Sequence, residues 1–103
     1  KGLPTLIFDE IDTGVSGDIA SKMGEMMRQI GGNSQVISII HLPQIAGTGN
    51  SHYKVYKEIE GASTVTKMTK LSSKERLVEI AKMLSGAKVT EAALENAKVL
   101  MLN

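Results

Sequence analysis

Two adjacent carboxylates, Asp9 and Glu10, follow directly on a short apolar run, Thr5 to Phe8. Such a run is typical of a strand buried in a sheet, and ligands of open α/β sheets bind at the carboxyl ends of the strands. Adjacent carboxylates are costly to desolvate there unless a cation or a polar ligand offsets the cost. In nucleotide hydrolysis one carboxylate holds Mg²⁺, usually through water, and a second orients or deprotonates the attacking water. The pattern predicts such a site, against the alternative of an acidic loop in solvent.

A histidine, His41, ends the next apolar run, Gln35 to Ile40. A lone histidine is more often structural, but this one occupies the position that corresponds to the two carboxylates on the first strand. The segment between the runs has a helical pattern, so strand, helix and strand form a βαβ unit with parallel strands. We therefore expect His41 to lie at the same edge of the sheet as Asp9 and Glu10. His52 has no such placement, and we interpret it as a surface strand residue.

The helical pattern between the two strands covers about Asp18 to Ile30 and stops at Gly31-Gly32-Asn33. Its apolar residues recur at helical spacing and are predicted to share one buried face, where core packing accounts for the methionines. They are Ile19, Met23, Met26, Met27 and Ile30. Both strands carry apolar residues on both faces, which predicts burial on both faces.

The second half of the chain has a different pattern. The β-prone segments 52–59 and 63–70 flank Glu60-Gly61-Ala62 and predict an antiparallel hairpin. Ser72 and Glu75 have capping-box spacing and open a helix that Gly86 ends. Thr90 can cap a last helix. The apolar positions of the two helices are Leu77, Ile80, Ala81 and Leu84 in the first, and Ala93, Ala97, Leu100 and Met101 in the second.

Bulk composition limits the classes to which the chain can belong. With 103 residues, 42% of them hydrophobic, it forms one domain at most. There is no cysteine, which excludes disulfides and thiolate metal sites. No apolar run approaches the ~20 residues of a membrane span, and the net charge of +1 creates no overall field for nucleic acid. The chain begins at Lys1, already close to a strand, so we expect it to come from the middle of a longer protein.

The motifs at the two strand ends resemble those of a known family. LIFDEIDTGVSG (6–17) looks like the Walker B motif and D-loop of ABC ATPases of the SMC-like branch, and IIHLPQIA (39–46) looks like their switch-histidine loop. Three later stretches, HYKVYKE (52–58), ERLVEIAKMLSG (75–86) and VTEAALENAKVL (89–100), are similar to the end of the RecN family of bacterial double-strand-break repair ATPases. The resemblance covers essentially the whole chain. It implies an α/β fold over 1–103, part of an ABC-type P-loop NTPase lobe, in the cytoplasm and associated with the nucleoid.

The resemblance also implies roles for individual residues. Asp9 would lie near Mg²⁺, and Glu10 would be the general base that positions the hydrolytic water. His41 would contact the γ-phosphate of ATP, and Asp12, in the D-loop, would work across the interface between two heads of a homodimer. One departure from the family's pattern is Ile40, where Thr or Ser is expected; it changes none of these roles.

Two motifs of a complete ATP site are missing from the chain. No Gly-Lys pair of a phosphate-binding loop occurs, and the signature motif is also absent. In the family both lie upstream, so we expect ATP and Mg²⁺ to require the N-terminal part of the same head, and the chain alone to be inactive. We also expect an isolated chain to expose a sticky sheet edge or to pair with another copy.

An alternative reading is a non-catalytic module for head dimerisation or DNA contact, with vestigial acidic residues. Seven of the twelve basic residues lie between Lys54 and Lys82, and such a cluster could touch phosphates, as DNA binding by the full-length protein would require. Acidic residues are interspersed among them, however, which favours a solvated face of mixed charge. A further alternative is that the chain belongs to another member of the same ATPase group. The mechanism would then be the same, and only the biological role would differ.

Overall fold

A computed structural model describes residues 5–86 and 88–102. The elements in chain order are β1 (Thr5–Asp9), α1 (Gly17–Gly31), β2 (Gln35–Ile39), α2 (Pro43–Ala46), β3 (Tyr53–Glu60), β4 (Ser63–Lys70), α3 (Ser73–Ser85) and α4 (Glu91–Leu102). The predicted α/β order of a βαβ unit, a hairpin and two helices is confirmed. The short helix α2 was not predicted, although Pro43 at its first turn is a known start signal. The predicted domain range 1–103 includes residues 1–4, 87 and 103, which lie outside the described residues.

Strands β1 and β2 pair in parallel, with Thr5 opposite Gln35 and Asp9 opposite Ile39. Helix α1 and α2 cover one face of this pair, where Phe8 and Val36 pack against a buried cluster. That cluster consists of Ala20, Met27 and Ile45.

The other face of the parallel pair is open, so the prediction that both faces are buried is wrong for this chain. Ile7 is 67% exposed, and Ile37 and Ile39 are 47% and 49% exposed. The physical reason is that the described residues supply helical cover on one side only. An apolar sheet face of this kind is normally covered by further helices.

The buried face of α1 agrees with the predicted one at Met27, which is buried, and at Met23, which packs against the same cluster, but not at Ile19 and Met26. Ala20, Gly24 and Met27 are buried, whereas Ile19 and Met26 are 47% and 61% exposed. Small residues allow α1 and α2 to approach closely. A Cβ added at Gly24 would lie 3.0 Å from Thr48 Cγ2 and 3.5 Å from the Gln44 carbonyl oxygen. The predicted set omitted Ala20 and Gly24, the two small residues that are buried beside Met27.

Strands β3 and β4 form the predicted antiparallel hairpin, with Tyr53 opposite Lys70 and Glu60 opposite Ser63. Gly61, in the turn, has φ +62°, a left-handed conformation that glycine adopts readily. On one side of the hairpin, Lys67 forms ion pairs with Glu58 at 2.8 Å and Glu60 at 2.6 Å. The opposite side exposes apolar residues, namely Tyr53, Val55, Ile59 and Met68.

The two C-terminal helices pack through small buried residues. The core around them consists of Ala46, Ile80, Ala81, Ala93 and Ala97. The predicted caps are present. Ser72 and Glu75 form a reciprocal capping box, Gly86 ends α3 with φ +84°, and the Thr90 hydroxyl accepts a hydrogen bond of 3.1 Å from the Ala93 amide. Within the described ranges, no helix is long and apolar enough to cross a membrane.

Candidate functional site

Glu10 is held in an unusual backbone conformation at the carboxyl end of β1. Its φ is +54°, which makes it the one non-glycine residue with positive φ in the part of the chain that the structure describes. Its amide donates a hydrogen bond of 2.8 Å to the Ile39 carbonyl oxygen, which prolongs the parallel ladder by one step. A left-handed conformation costs an L-residue about 1–2 kcal/mol, and such strain is concentrated at functional sites.

The structure brings Glu10 and His41 together, as the βαβ pattern predicts. Glu10 Oε1 lies 3.4 Å from His41 Nε2. Both side chains are more than half exposed, at 56% and 61%, so each is accessible to a ligand or to another part of a larger protein. Asp9 is exposed at the same edge, opposite Ile39 in the register. The three predicted side chains thus share the carboxyl edge of the sheet.

Asp12 lies elsewhere, although it is only two residues from Glu10. Its side chain is 1% exposed, and its Oδ2 accepts hydrogen bonds of 2.7 Å from the amides of both His41 and Leu42. Its Oδ1 is buried and has no protein partner. The sequence-based expectation for Asp12 is a contact across an interface between two heads. The observed placement differs, because the carboxylate is directed into this chain and binds the histidine loop.

The far end of the histidine loop is held by Arg76 of α3. Its Nη2 donates to the carbonyl oxygens of Ala46 at 2.8 Å and Gly49 at 2.5 Å. Burial lowers the pKa of Arg76 from its ordinary value. Asp12 at one end and Arg76 at the other therefore fix the segment from His41 to Gly49 to two separate parts of the fold.

His52 differs from its interpretation as a surface strand residue. It lies just before β3, is partly buried, and has a buried Nδ1 without a protein partner. Burial lowers its pKa, and the nearby positive charge of Arg76 lowers it further, while Glu79 acts in the opposite direction. His52 is therefore a partly buried residue at the base of the hairpin rather than a strand residue on the surface.

Sequence reasoning missed the two tethers of the histidine loop. For Asp12 a signal existed, because a carboxylate within an otherwise apolar and glycine-containing turn must find donors if it is buried. No local signal marks Arg76, whose acceptors are backbone carbonyls about 30 residues earlier in the chain.

The described residues contain no group of three or more His, Cys, Asp or Glu side chains that could hold a metal ion by themselves. Mg²⁺ is usually held by one or two carboxylates together with substrate phosphates and water. Asp9 is an exposed carboxylate at the end of β1.

The fold has a counterpart among solved structures. The chain is similar in structure to one from a study of ATP-driven dimerization and DNA-stimulated activation of SMC ATPases, with a TM-score of 0.64 over 85% of this chain and 52% of that chain. The two sequences are 17% identical, so this likeness shows the fold alone. No family model matches the chain.

Sequence comparison then identifies the particular family. The chain is 42% identical over 99 residues to the DNA repair protein RecN of Vibrio cholerae, 44% over 101 residues to that of Haemophilus influenzae, and 39% over 101 residues to that of Bacillus subtilis. These matches cover 96–98% of this chain, which belongs to the RecN family as a C-terminal segment. The chain spans 18% of the length of each of these relatives.

Proposed function

We propose that this chain supplies the hydrolytic edge of the ATP site in a RecN-type ATPase that acts in DNA double-strand break repair and recombination. Glu10 is the general base that positions the attacking water, and His41 contacts the γ-phosphate and orders the same water. Asp9 holds Mg²⁺ through a water molecule, since Mg²⁺ usually keeps several of its waters when a carboxylate binds it. We place the protein in the bacterial cytoplasm, associated with the nucleoid.

One observation carries this proposal: Glu10 and His41 lie 3.4 Å apart at the carboxyl edge of a parallel sheet. A general base must lie within reach of the water that it deprotonates, and a neighbouring imidazole can donate to a phosphate oxygen, or donate to or accept from the same water. The left-handed backbone of Glu10 supports the proposal, because it directs a strained residue toward the shared edge.

The remaining parts of the site must come from outside this chain. A phosphate-binding loop would supply the amides and the lysine that hold the phosphates, and the sequence contains no Gly-Lys pair. We propose that the N-terminal part of the same head supplies that loop, and that a second head of a homodimer closes the site. Under this proposal the isolated chain does not hydrolyse ATP, and DNA is bound by the full-length protein.

The alternative, a DNA-contact module, receives less support from the hairpin. Lys54 is paired with Glu79 at 2.9 Å, and Lys67 lies between Glu58 and Glu60. A lysine with carboxylate neighbours presents little net charge to a phosphate backbone. We therefore do not assign DNA binding to Lys54 or Lys67.

The test is DNA-stimulated ATP hydrolysis by the full-length protein that carries Glu10→Gln. Glutamine keeps the size of the side chain but cannot take a proton, so kcat should fall by about 100-fold or more while ATP binding is retained. Glu25→Gln, a matched change on the exposed side of α1, is the control and should leave kcat unchanged. If Glu10→Gln hydrolyses ATP at the parental rate, the assignment of the base is wrong.

A further inference from the structure

We propose that Asp12 is a positioning residue, which sets the place of His41 relative to Glu10 by holding the backbone of the histidine loop. This inference rests on the proposed function of Glu10 and His41. It assigns to Asp12 a role inside its own chain, in place of a contact with a second head or with the nucleotide.

The geometry of the contact is that of a specific anchor. One oxygen, Oδ2, accepts from two consecutive amides, His41 and Leu42, and both distances are 2.7 Å. Hydrogen bonds from an amide to an ionised carboxylate are shorter and roughly twice as strong as neutral ones. Because Asp12 is 1% exposed, water cannot easily replace either donor.

The hydrogen bonds of Asp12 restrain the backbone of His41, one of the two proposed site residues. Glu10 and Asp12 belong to one tight turn, in which the Thr13 amide donates to the Glu10 carbonyl oxygen at 3.4 Å. On the other strand, Ile39 accepts the Glu10 amide at 2.8 Å, and His41 follows two residues later. Two cross-links, one through Glu10 and one through Asp12, therefore bracket Ile40 and leave the backbone of His41 little freedom.

Such precision matters for hydrolysis, since a misplacement of about 1 Å can cost about 100-fold in rate. Asp12 itself cannot be the group that reacts. Its Oδ2 is occupied by two amides, and its whole side chain lies beneath the surface on which Glu10 and His41 are exposed. Its influence on the reaction is transmitted through the His41 backbone.

The experiment compares three variants of the full-length protein: Asp12→Ala, Asp12→Asn and the control Asp18→Asn. Alanine removes the acceptor, whereas asparagine keeps one oxygen that can accept from both amides. Asp18 is an exposed carboxylate in the first turn of α1, outside the site. The measurements are kcat, the Kd for ATP, and hydrogen exchange of the peptide that covers residues 40–45, with a peptide from α3 as the internal reference.

We expect Asp12→Ala to lower kcat by about 100-fold with little change in the Kd for ATP. Exchange should become faster in the 40–45 peptide and remain unchanged in α3. Asp12→Asn should keep most of the exchange protection and lie within about 10-fold of the parental kcat, because neutral acceptors are roughly half as strong. Asp18→Asn should match the parent in all three measurements.

Several results would overturn the proposal. One is a parental kcat in a folded Asp12→Ala protein whose 40–45 peptide has lost protection. Another is a joint loss of kcat and ATP affinity with faster exchange throughout, which indicates a general structural role. If Asp12→Ala does not fold, Asp12→Asn decides: retained protection with retained activity supports the proposal, and retained protection with a loss above about 100-fold contradicts it. If neither variant folds, the role is structural and the proposal fails.

Failure of this inference can be told apart from failure of the proposed function. If Glu10→Gln abolishes hydrolysis but Asp12→Ala does not lower kcat, the base assignment stands and the positioning role falls. If Glu10→Gln is fully active, the proposed function falls whatever Asp12 does. The exchange measurement on the 40–45 peptide reports the anchor without any reference to hydrolysis.

Discussion

The parallel pair β1–β2 and the hairpin β3–β4 are both two-stranded sheets with one open apolar side, yet they are held in different ways. The parallel pair has helical cover on one face, and its carboxyl-end turns are tied together by Asp12 and by the Glu10 amide. The hairpin is closed at its base by a hydrogen bond from the Leu71 amide to the His52 carbonyl oxygen, and Lys54 pairs with Glu79 of α3. Long-range tethering thus coincides with the candidate chemistry, and the hairpin carries none of the proposed site residues.

The largest expected effect is a difference in stability between a substitution on the covered face of the parallel pair and the same substitution on the open side of the hairpin. Met27 of α1 is 9% exposed, whereas Met68 of β4 is 67% exposed. Met27→Ala should reduce the free energy of unfolding by about 2 kcal/mol, because it opens a cavity in the core. Met68→Ala should change it by no more than about 0.5 kcal/mol.

Chemical denaturation of the parent and of the two methionine variants measures the free energy of unfolding of each. The same substitution is thereby compared at both positions. An equal and large cost at both positions would show that the open side of the hairpin is covered in solution, and the contrast between the two sheets would no longer hold.

A smaller effect concerns the turn at the edge of each sheet. Glu10 and Gly61 both have left-handed backbones, with φ of +54° and +62°. Glu10→Gly should be more stable than Glu10→Ala by about 1 kcal/mol, since glycine alone avoids the left-handed strain. Gly61→Ala should cost about the same amount through the backbone, because no atom lies within 4 Å of the added Cβ.

Thermal unfolding of these variants measures stability, and ATP hydrolysis by the full-length protein measures function. We expect Glu10→Gly to be inactive and yet no less stable than Glu10→Ala, which would show strain retained for function. Equal stability of the glycine and alanine variants at position 10 would mean that no such strain is present.

The smallest effect concerns the capping box that connects the hairpin to α3. Ser72→Ala should lower the free energy of unfolding by about 1 kcal/mol. The pKa of Glu75 is lowered by the hydrogen bond that it accepts from the Ser72 backbone amide. A carboxyl whose pKa is lower in the folded state stabilises the fold above its ordinary value of 4.5, and this stabilisation is lost as the pH falls through the folded pKa.

Unfolding of the parent and of Glu75→Gln between pH 3 and pH 6 tests this sign, because glutamine retains the capping geometry without titrating. The parent should lose more stability than Glu75→Gln as the pH falls below about 4.5. Parallel pH profiles for the two proteins would contradict the coupling.

Local patterns were sufficient for much of the fold. The hairpin around Gly61, the Ser72 cap and the helix end at Gly86 depend on neighbours within a few residues, and each was predicted from the sequence. The edge that unites Glu10 and His41 followed from the general geometry of parallel strands. These features can be predicted without knowing which elements pack against each other.

Tertiary choices could not be predicted in this way. The buried face of α1 is set by close contact with α2, so it uses Ala20 and Gly24 rather than Ile19 and Met26. The burial of Asp12 depends on two amides about 30 residues away in sequence. The open face of the parallel pair depends on cover that the described residues do not contain.

The central claim is that Glu10 is the general base of ATP hydrolysis, so that its action ends the ATP-bound, dimeric state of the full-length protein. The most direct test is sedimentation velocity of the full-length protein after addition of ATP and Mg²⁺. The claim predicts that Glu10→Gln stays dimeric, while the parent and Glu25→Gln return to their starting state as ATP is consumed. Equal lifetimes of the ATP-dependent dimer in Glu10→Gln and in the parent would contradict it.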